Sequence, residues 1–225
     1  MDLSPMGMVR YTSSMSLDGY VAGVDQGPDH PLGVDGERLH EWLFGLESWR
    51  RDAGLDGGVD TVSTEVLKRS DANVGATIMG RNMFGGGPGP WSEDEPWNGW
   101  WGPNPPFHMP VFVLTSHRRG PLVCEGGTTF TFVTDGPEAA LTAARAVAGD
   151  RDVHISGGGN VARQFLAAGL VDEMLIHLVP VLLGRGVRLF EDADHATALE
   201  QKEAVAAPGV THLTYSRATP TGEVR

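Results

Sequence analysis

Val153 to Phe165 reads VHISGGGNVARQF, and LAAGLVDEMLIHLVPVLLG carries it on to Gly184. The order is a short apolar strand over Asp152–Ser156, three glycines, an amphipathic helix over Val161–Ala168 closed by Gly169, and a second strand over Asp172–Leu183. A glycine turn between a strand's end and a helix's start lets backbone N–H groups approach an anion closely, and the helix N-terminus favours negative charge. The same spacing also serves a plain strand–helix turn, so the rest of the chain must decide between the two. Pro180 inside the second strand predicts a bulge or an edge position there.

Working outward, Met8–Ser14 is an expected first strand that enters the turn Leu17-Asp18-Gly19 and continues through Tyr20–Gly23. A Gly-, Pro- and Asp-rich loop follows over Val24–Gly36. Glu37–Arg51 places Leu39, Trp42, Leu43, Leu46 and Trp49 near one helical face, and Thr61–Arg69 predicts a second helix. Val74–Met79 (VGATIM) is a short buried strand running into Gly80-Arg81-Asn82-Met83-Phe84, the start of a further helix. Gly85–Pro110 is irregular and rich in Gly, Pro and Trp; so long a loop inside a domain is usually functional or disordered, and its tryptophans argue for order. They either close over a ligand or pack the loop down. Strands are predicted over Pro110–Thr115 and Thr128–Thr134, a helix over Pro137–Ala148, and final strands over Val187–Phe190 and Val210–Arg217. This alternation predicts one α/β domain over residues 1–225, with a core over about 9–217, a largely parallel sheet and antiparallel additions.

The 225 residues suffice for one sizeable core, and the formal charge of −12 argues against non-specific binding to nucleic acid or to acidic membranes. Cys124 is the single cysteine, which excludes an intrachain disulfide and a cysteine-based zinc site. The histidines form no metal-binding motif, so no metal is expected. MDLSPMGMVRY lacks a basic and an apolar leader region. No apolar run reaches membrane-span length, and a cytoplasmic location is expected.

In open α/β sheets, ligands lie beyond the carboxyl ends of the strands. Three such ends carry phosphate-compatible groups. Gly80-Arg81-Asn82 offers a glycine turn and a fixed cation at a helix start. Thr115-Ser116 and the following His117-Arg118 offer hydroxyls and cations. Gly157-Gly158-Gly159-Asn160 offers bare backbone N–H groups. If the strands are neighbours, these turns meet on one elongated, multiply phosphorylated ligand, such as a dinucleotide. The spacing is not that of the usual Rossmann fingerprint.

In order along the chain, Met15-Ser16-Leu17-Asp18-Gly19-Tyr20-Val21-Ala22, Ile78-Met79-Gly80-Arg81-Asn82-Met83-Phe84, Ser156-Gly157-Gly158-Gly159, Val171-Asp172-Glu173 and Pro180-Val181-Leu182-Leu183-Gly184 resemble the signatures of the dihydrofolate reductase-like superfamily. The closer resemblance is to its branch containing the reductase domain of the bifunctional riboflavin-biosynthesis deaminase–reductase. It covers the chain from Val9 to about Arg217. It implies a mixed, mainly parallel sheet flanked by helices on both faces, NADPH as cofactor, a small heterocyclic substrate and a homodimer. Carried over by position, Gly80, Arg81 and Asn82 hold cofactor phosphates. Arg81, with Thr115 and Ser116, senses the adenosine 2′-phosphate. Gly157, Gly158, Gly159, Asn160 and Val161 cradle the pyrophosphate, and Ala22 lies near the nicotinamide. Two departures stand out. Ser156 replaces the glutamate that typically precedes the glycines in the riboflavin-pathway domain, and the Trp-rich stretch has no counterpart in the signature.

For the catalytic proton, Asp60 and Glu65 are the candidates, on or near the helix where dihydrofolate reductases carry an acid. Asp18, Trp91 and Trp97 are the candidates for touching substrate. His154 reads as a core or sheet-face residue. The expected activity is hydride transfer from NADPH to a pterin-like or pyrimidine–ribityl heterocycle. Reduction of 5-amino-6-(5-phosphoribosylamino)uracil, or non-catalytic nucleotide or ligand binding on the same fold, remain as alternatives.

Overall fold

The computed structural model describes residues 6–27, 29–191 and 198–218. Residues 1–5, which contribute to the reading of the N-terminus, lie outside them. Among the described residues eleven strands are formed: β1 (Val9–Ser16), β2 (Tyr20–Ala22), β3 (Val74–Gly80), β4 (Pro110–Leu114), β5 (Leu122–Val123), β6 (Thr129–Val133), β7 (Asp152–Ser156), β8 (Glu173–Val179), β9 (Val187–Arg188), β10 (Leu199–Ala207) and β11 (Val210–Arg217). Nine of them make one sheet in the order β10-β11-β8-β1-β7-β3-β4-β6-β5, while β2 and β9 pair separately. From β8 to β6 every pairing is parallel; β11 on β8, β10 on β11 and β5 on β6 are antiparallel.

The helices are α1 (Glu41–Phe44), α2 (Glu47–Asp52), α3 (Val62–Asp71), α4 (Arg81–Phe84), α5 (Pro137–Ala148) and α6 (Gly159–Ala167). Proline at the first turn of α5 fits a helix start, where its missing N–H costs nothing. Ala140, Leu141, Ala144 and Ala148 of α5 and Val161, Ala162 and Phe165 of α6 recur at helical spacing. They bury one face of the sheet together with Val9, Tyr11, Ile78, Val153, Ile155 and Ile176. Small residues allow close approach here: a Cβ on Gly75 would meet the Ala148 Cα and Cβ at 3.0 Å.

The opposite face is divided. Over β4 and β6 it is covered by aromatic packing of Phe84, Trp91, Trp97, Trp101 and Phe107 on Phe130 and Phe132. Over β1, β7 and β8 it carries Thr12, Ser14, His154, Ser156 and His177, under α1 and α3.

Four expectations are corrected. The helix expected over 37–51 is broken into a 3₁₀ turn (Gly36–Leu39), α1 and α2. Leu46 is extended and buried, and the backbone beside it pairs with Val59, so those groups cannot continue a helix. The strand expected to reach Leu183 stops at Val179, before Pro180, which has no N–H for the ladder. β8 lies inside the sheet, between β1 and β11, with neither bulge nor edge. β10 and the two-residue β5 were missed; β10 is a largely exposed, charged edge strand without a clear apolar alternation.

No helix among the described residues is long and apolar enough to cross a membrane.

Candidate functional site

The three predicted strand ends belong to adjacent strands, β7, β3 and β4, and they open onto one cleft of about 1440 Å³. Ala22, Gly80, Arg81, Asn82, Thr115, Ser116, Gly157, Gly158, Gly159, Asn160 and Val161 all line it. Thr134 and Gly136, beyond the end of β6, extend the same wall and were not anticipated.

The glycines of this half do different jobs. Gly157 has φ +91°, and an added Cβ would lie 2.5 Å from Met83 Sδ. The Tyr11 hydroxyl, deep in the core, donates to its carbonyl at 3.3 Å. A Cβ on Gly80 would strike Val161 Cγ2 at 2.5 Å, so this glycine sets the distance between β3 and α6. A Cβ on Gly159 would meet the Arg188 carbonyl oxygen at 2.5 Å. Gly158 differs from all three in that an added Cβ would meet no described atom within 4 Å beyond its chain neighbours, and its φ of −55° accepts a side chain. It is the N-cap of α6 and carries no side-chain cap. Gly159, Asn160 and Val161, the first turn of the helix, line the cleft beside the space that a side chain on Gly158 would enter. Geometry and dipole both suit a phosphate there.

Arg81 lines the cleft but is already engaged. Its guanidinium lies 3.6 Å from the Trp91 ring centroid and donates to the Gly89 carbonyl at 2.6 Å, while its Nε is buried without a partner among the described residues. Burial, with Arg119 nearby, pulls its pKa down from the usual arginine value. Arg119 donates to the Trp97 carbonyl and to Asn98 Oδ1. The two arginines thus tie the 85–109 segment to the sheet.

Several expected contacts are not made. Trp91 and Trp97 do not line the cleft: their indole N–H groups donate to the His117 and Phe84 carbonyls, and their rings pack on Phe84, Phe132 and Trp100. Trp100 and Trp101 reach the cleft instead. Asp18 accepts from Ser16 Oγ and from the Leu183 and Gly184 N–H groups, which lower its pKa and fix the turn after β1. Asp60 and Glu65 are exposed and off the cleft, Glu65 pairing with Lys68 at 2.9 Å. α3 instead lines the cleft with Thr64, Leu67, Lys68, Ser70 and Asp71. The helical phase of α3 puts Glu65 on the solvent side.

The other half of the cleft was not anticipated. Thr12 and Ser14 of β1, His154 of β7 and His177 of β8 form its floor, with His40, Trp42 and Thr64 above. Desolvation lowers the pKa of His154 to about 4 and of His177 to about 3, so both are neutral near pH 7. His177 Nδ1 lies 2.7 Å from His212 Nδ1, and His212 Nε2 lies 2.9 Å from Ser63 Oγ. One signal for this floor was in the sequence. A parallel strand buried on both faces should be apolar throughout, yet one face of β1 and β7 is polar, and His177 interrupts the same face of β8 between Leu175 and Val179. No group of three or more His, Cys, Asp or Glu among the described residues is arranged to hold a metal ion.

A nine-stranded, mainly parallel sheet with its cleft across the β7, β3 and β4 ends is the dihydrofolate reductase-like α/β fold. The chain belongs to the RibD C-terminal domain family, whose model matches residues 7–213. A candidate riboflavin biosynthesis protein from Shewanella sp. PV-4 has a similar structure, 25% identical, with TM-score 0.58 over 94% of this chain and 99% of that one. The dihydrofolate reductase of Enterococcus faecalis, solved with NADP(H), shares the fold at 14% identity and TM-score 0.51, over 96% of this chain and 100% of its own. Among curated proteins, YwjB of Bacillus subtilis, itself uncharacterized, is 30% identical over 88 residues, which are 39% of this chain and half of YwjB.

Proposed function

We propose that this protein is an NADPH-dependent reductase that delivers hydride to an electrophilic carbon of a small pterin-like or pyrimidine–ribityl heterocycle. The observation that carries this reading is the open cradle at Gly158. It sits at the N-terminus of α6, on the same cleft as the Gly80–Asn82 and Thr115–Ser116 turns. Family membership and the NADP(H)-bound structural neighbour support it.

In this reading the N–H groups after Gly158 hold the pyrophosphate, and Arg81 with Ser116 meets the 2′-phosphate. Ala22, buried beside the cleft, packs near the nicotinamide. The bound cofactor supplies the hydride, so the chain's contribution is mainly positioning and exclusion of water. With Asp60 and Glu65 off the cleft, the proton comes from water or from a group on the floor.

A second reading, reduction of the riboflavin-pathway aminouracil ribosyl phosphate, is favoured by Arg51 and Lys68, which lie on the wall of the cleft where a substrate phosphate can meet them. Edge strand β10 leaves a sheet edge open, which supports the expected homodimer; sedimentation velocity tests it.

The first test is titration with NADPH and NADH, followed by quenching of tryptophan fluorescence. Binding that favours NADPH is expected, and cofactor oxidation with a pterin or an aminouracil then identifies the reaction. No binding of either nucleotide would remove the reductase reading in favour of a ligand-binding protein on this fold.

A further inference from the structure

The cleft is larger than one ligand needs. Small-molecule pockets measure about 300–1,000 Å³, and this one measures about 1440 Å³. Besides the glycine turns and the floor, it is lined by α2, α3 and the 85–109 segment, which contribute Trp49, Leu67, Trp100 and Trp101.

These tryptophans differ from the rest. The indole N–H groups of Trp42, Trp91 and Trp97 all donate to protein atoms, as tryptophan packed into a fold usually does. Those of Trp49, Trp100 and Trp101 have no partner among the described residues and are not shut from solvent. Their rings are nevertheless held in place. Trp100 packs edge-on against Trp97 at 4.5 Å and lies where a Cβ on Gly85 would come within 2.7 Å of its Cε2. Trp101 stacks on Phe130 at 6.0 Å and meets Phe107 edge-on at 4.9 Å. Trp49 packs on Phe44 at 4.8 Å. Rings fixed in advance lose little freedom when a ligand arrives.

Charge on the same wall is balanced. Arg51 and Lys68 are its cations, Asp52 and Asp71 its carboxylates, and all four are exposed. Arg51 lies 3.7 Å from Asp52, and Lys68 pairs with Glu65 at 2.9 Å. An anion held there meets carboxylates as well as cations, and exposed, screened cations attract it weakly.

We propose that this wall takes an uncharged aromatic extension of the substrate, in preference to an extension ending in a phosphate or a carboxylate. The rings of Trp49, Trp100 and Trp101 supply contact area, and their N–H groups donate to oxygen or nitrogen acceptors on the extension. This rests on the reductase reading and specifies its substrate class as a heterocycle bearing an aryl group.

Calorimetric titration in two ring series tests this, with the oxidised cofactor NADP⁺ saturating so that no hydride moves. Pterin, 6-phenylpterin and pterin-6-carboxylate form one series; 6-aminouracil, 6-anilinouracil and uracil-6-carboxylate form the other. In the series whose ring binds, the phenyl compound is expected to bind at least about tenfold tighter than its parent, and the carboxylate no tighter than the parent. Trp100→Leu should lower the phenyl compound's affinity about tenfold and the parent's by less than about threefold. Should that variant fail to fold, Trp49→Leu replaces it with the same expectation. A smaller phenyl gain in both series overturns the inference, as does a carboxylate that outbinds the phenyl compound, or a gain that persists in the folded tryptophan variant. Cofactor binding with no member of either series bound overturns it while leaving the reductase reading in place. Absence of cofactor binding removes both.

Discussion

The two halves of the cleft are built differently. The half across the β7, β3 and β4 ends is made of backbone: glycine turns, a helix N-terminus and short hydroxyl side chains. The half over β1, β7 and β8 is made of side chains projecting from the middle of strands, and only the sheet register brings His154, Thr12 and His177 together. Backbone sites declare themselves locally, because the glycines that make a turn at a strand's end are consecutive in the sequence. Side-chain sites depend on which strands become neighbours, and β1 meets β7 and β8 across more than a hundred residues of sequence.

The sharpest way to break this contrast is Gly158→Val. The backbone there tolerates a side chain and the space is open, so the melting temperature should hold. NADPH affinity, read by calorimetry, should fall at least about 1000-fold, or about 4 kcal/mol. Retained affinity would take the pyrophosphate away from this turn.

Next is pH. His154 and His177 have folded-state pKa values near 4 and 3, below the ordinary histidine value of 6.5. Between those limits the unfolded chain binds more protons, so the stability tied to these rings is complete above pH 6.5 and declines as pH falls. At pH 5 each histidine has cost about 2 kcal/mol. Denaturant melts from pH 7 to 5 should show this slope, and His154→Gln should reduce it.

Gly157→Val tests the fold rather than the ligand. Its φ of +91° and the Met83 contact imply a loss of about 3 kcal/mol, roughly 6–12 °C in a thermal melt. A stable variant would mean that the turn relaxes more easily than its geometry implies.

Arg81→Ala is a smaller effect. If the guanidinium leaves Trp91 to meet the 2′-phosphate, NADPH binding should weaken about tenfold and NADH binding by less than about threefold. Equal losses would make Arg81 a staple for the Trp-rich segment alone. Smallest of all, Asp60→Asn and Glu65→Gln should leave turnover within about twofold, as surface substitutions do.

Much of the fold was legible. The Val153–Gly184 stretch set a strand–turn–helix–strand unit, and VGATIM followed by Gly80-Arg81 set another, because runs this apolar must be buried and glycines this placed must turn. Residues proposed from the glycine turns and strand ends did meet in one cleft. Those proposed from side-chain chemistry, Asp18, Asp60, Glu65, Trp91 and Trp97, did not reach it. A carboxylate on a helix is worth little as a site candidate until the helix's rotation is known. Trp91 and Trp97 read equally as ligand contacts or as packing until Arg81, Arg119 and the Phe84 and His117 carbonyls are seen to hold them.

The sequence by itself determined the alternation of strands and helices, the strand ends carrying glycine, and the excess of acid over base. These follow from local backbone preference and from counting. Tertiary structure alone decided that β8 lies inside the sheet beside β1, that α3 presents Thr64 rather than Glu65 to the cleft, and that four histidines gather around one cavity. Those outcomes depend on register and helix rotation, which are set by burial summed over the whole sheet and not by any one segment.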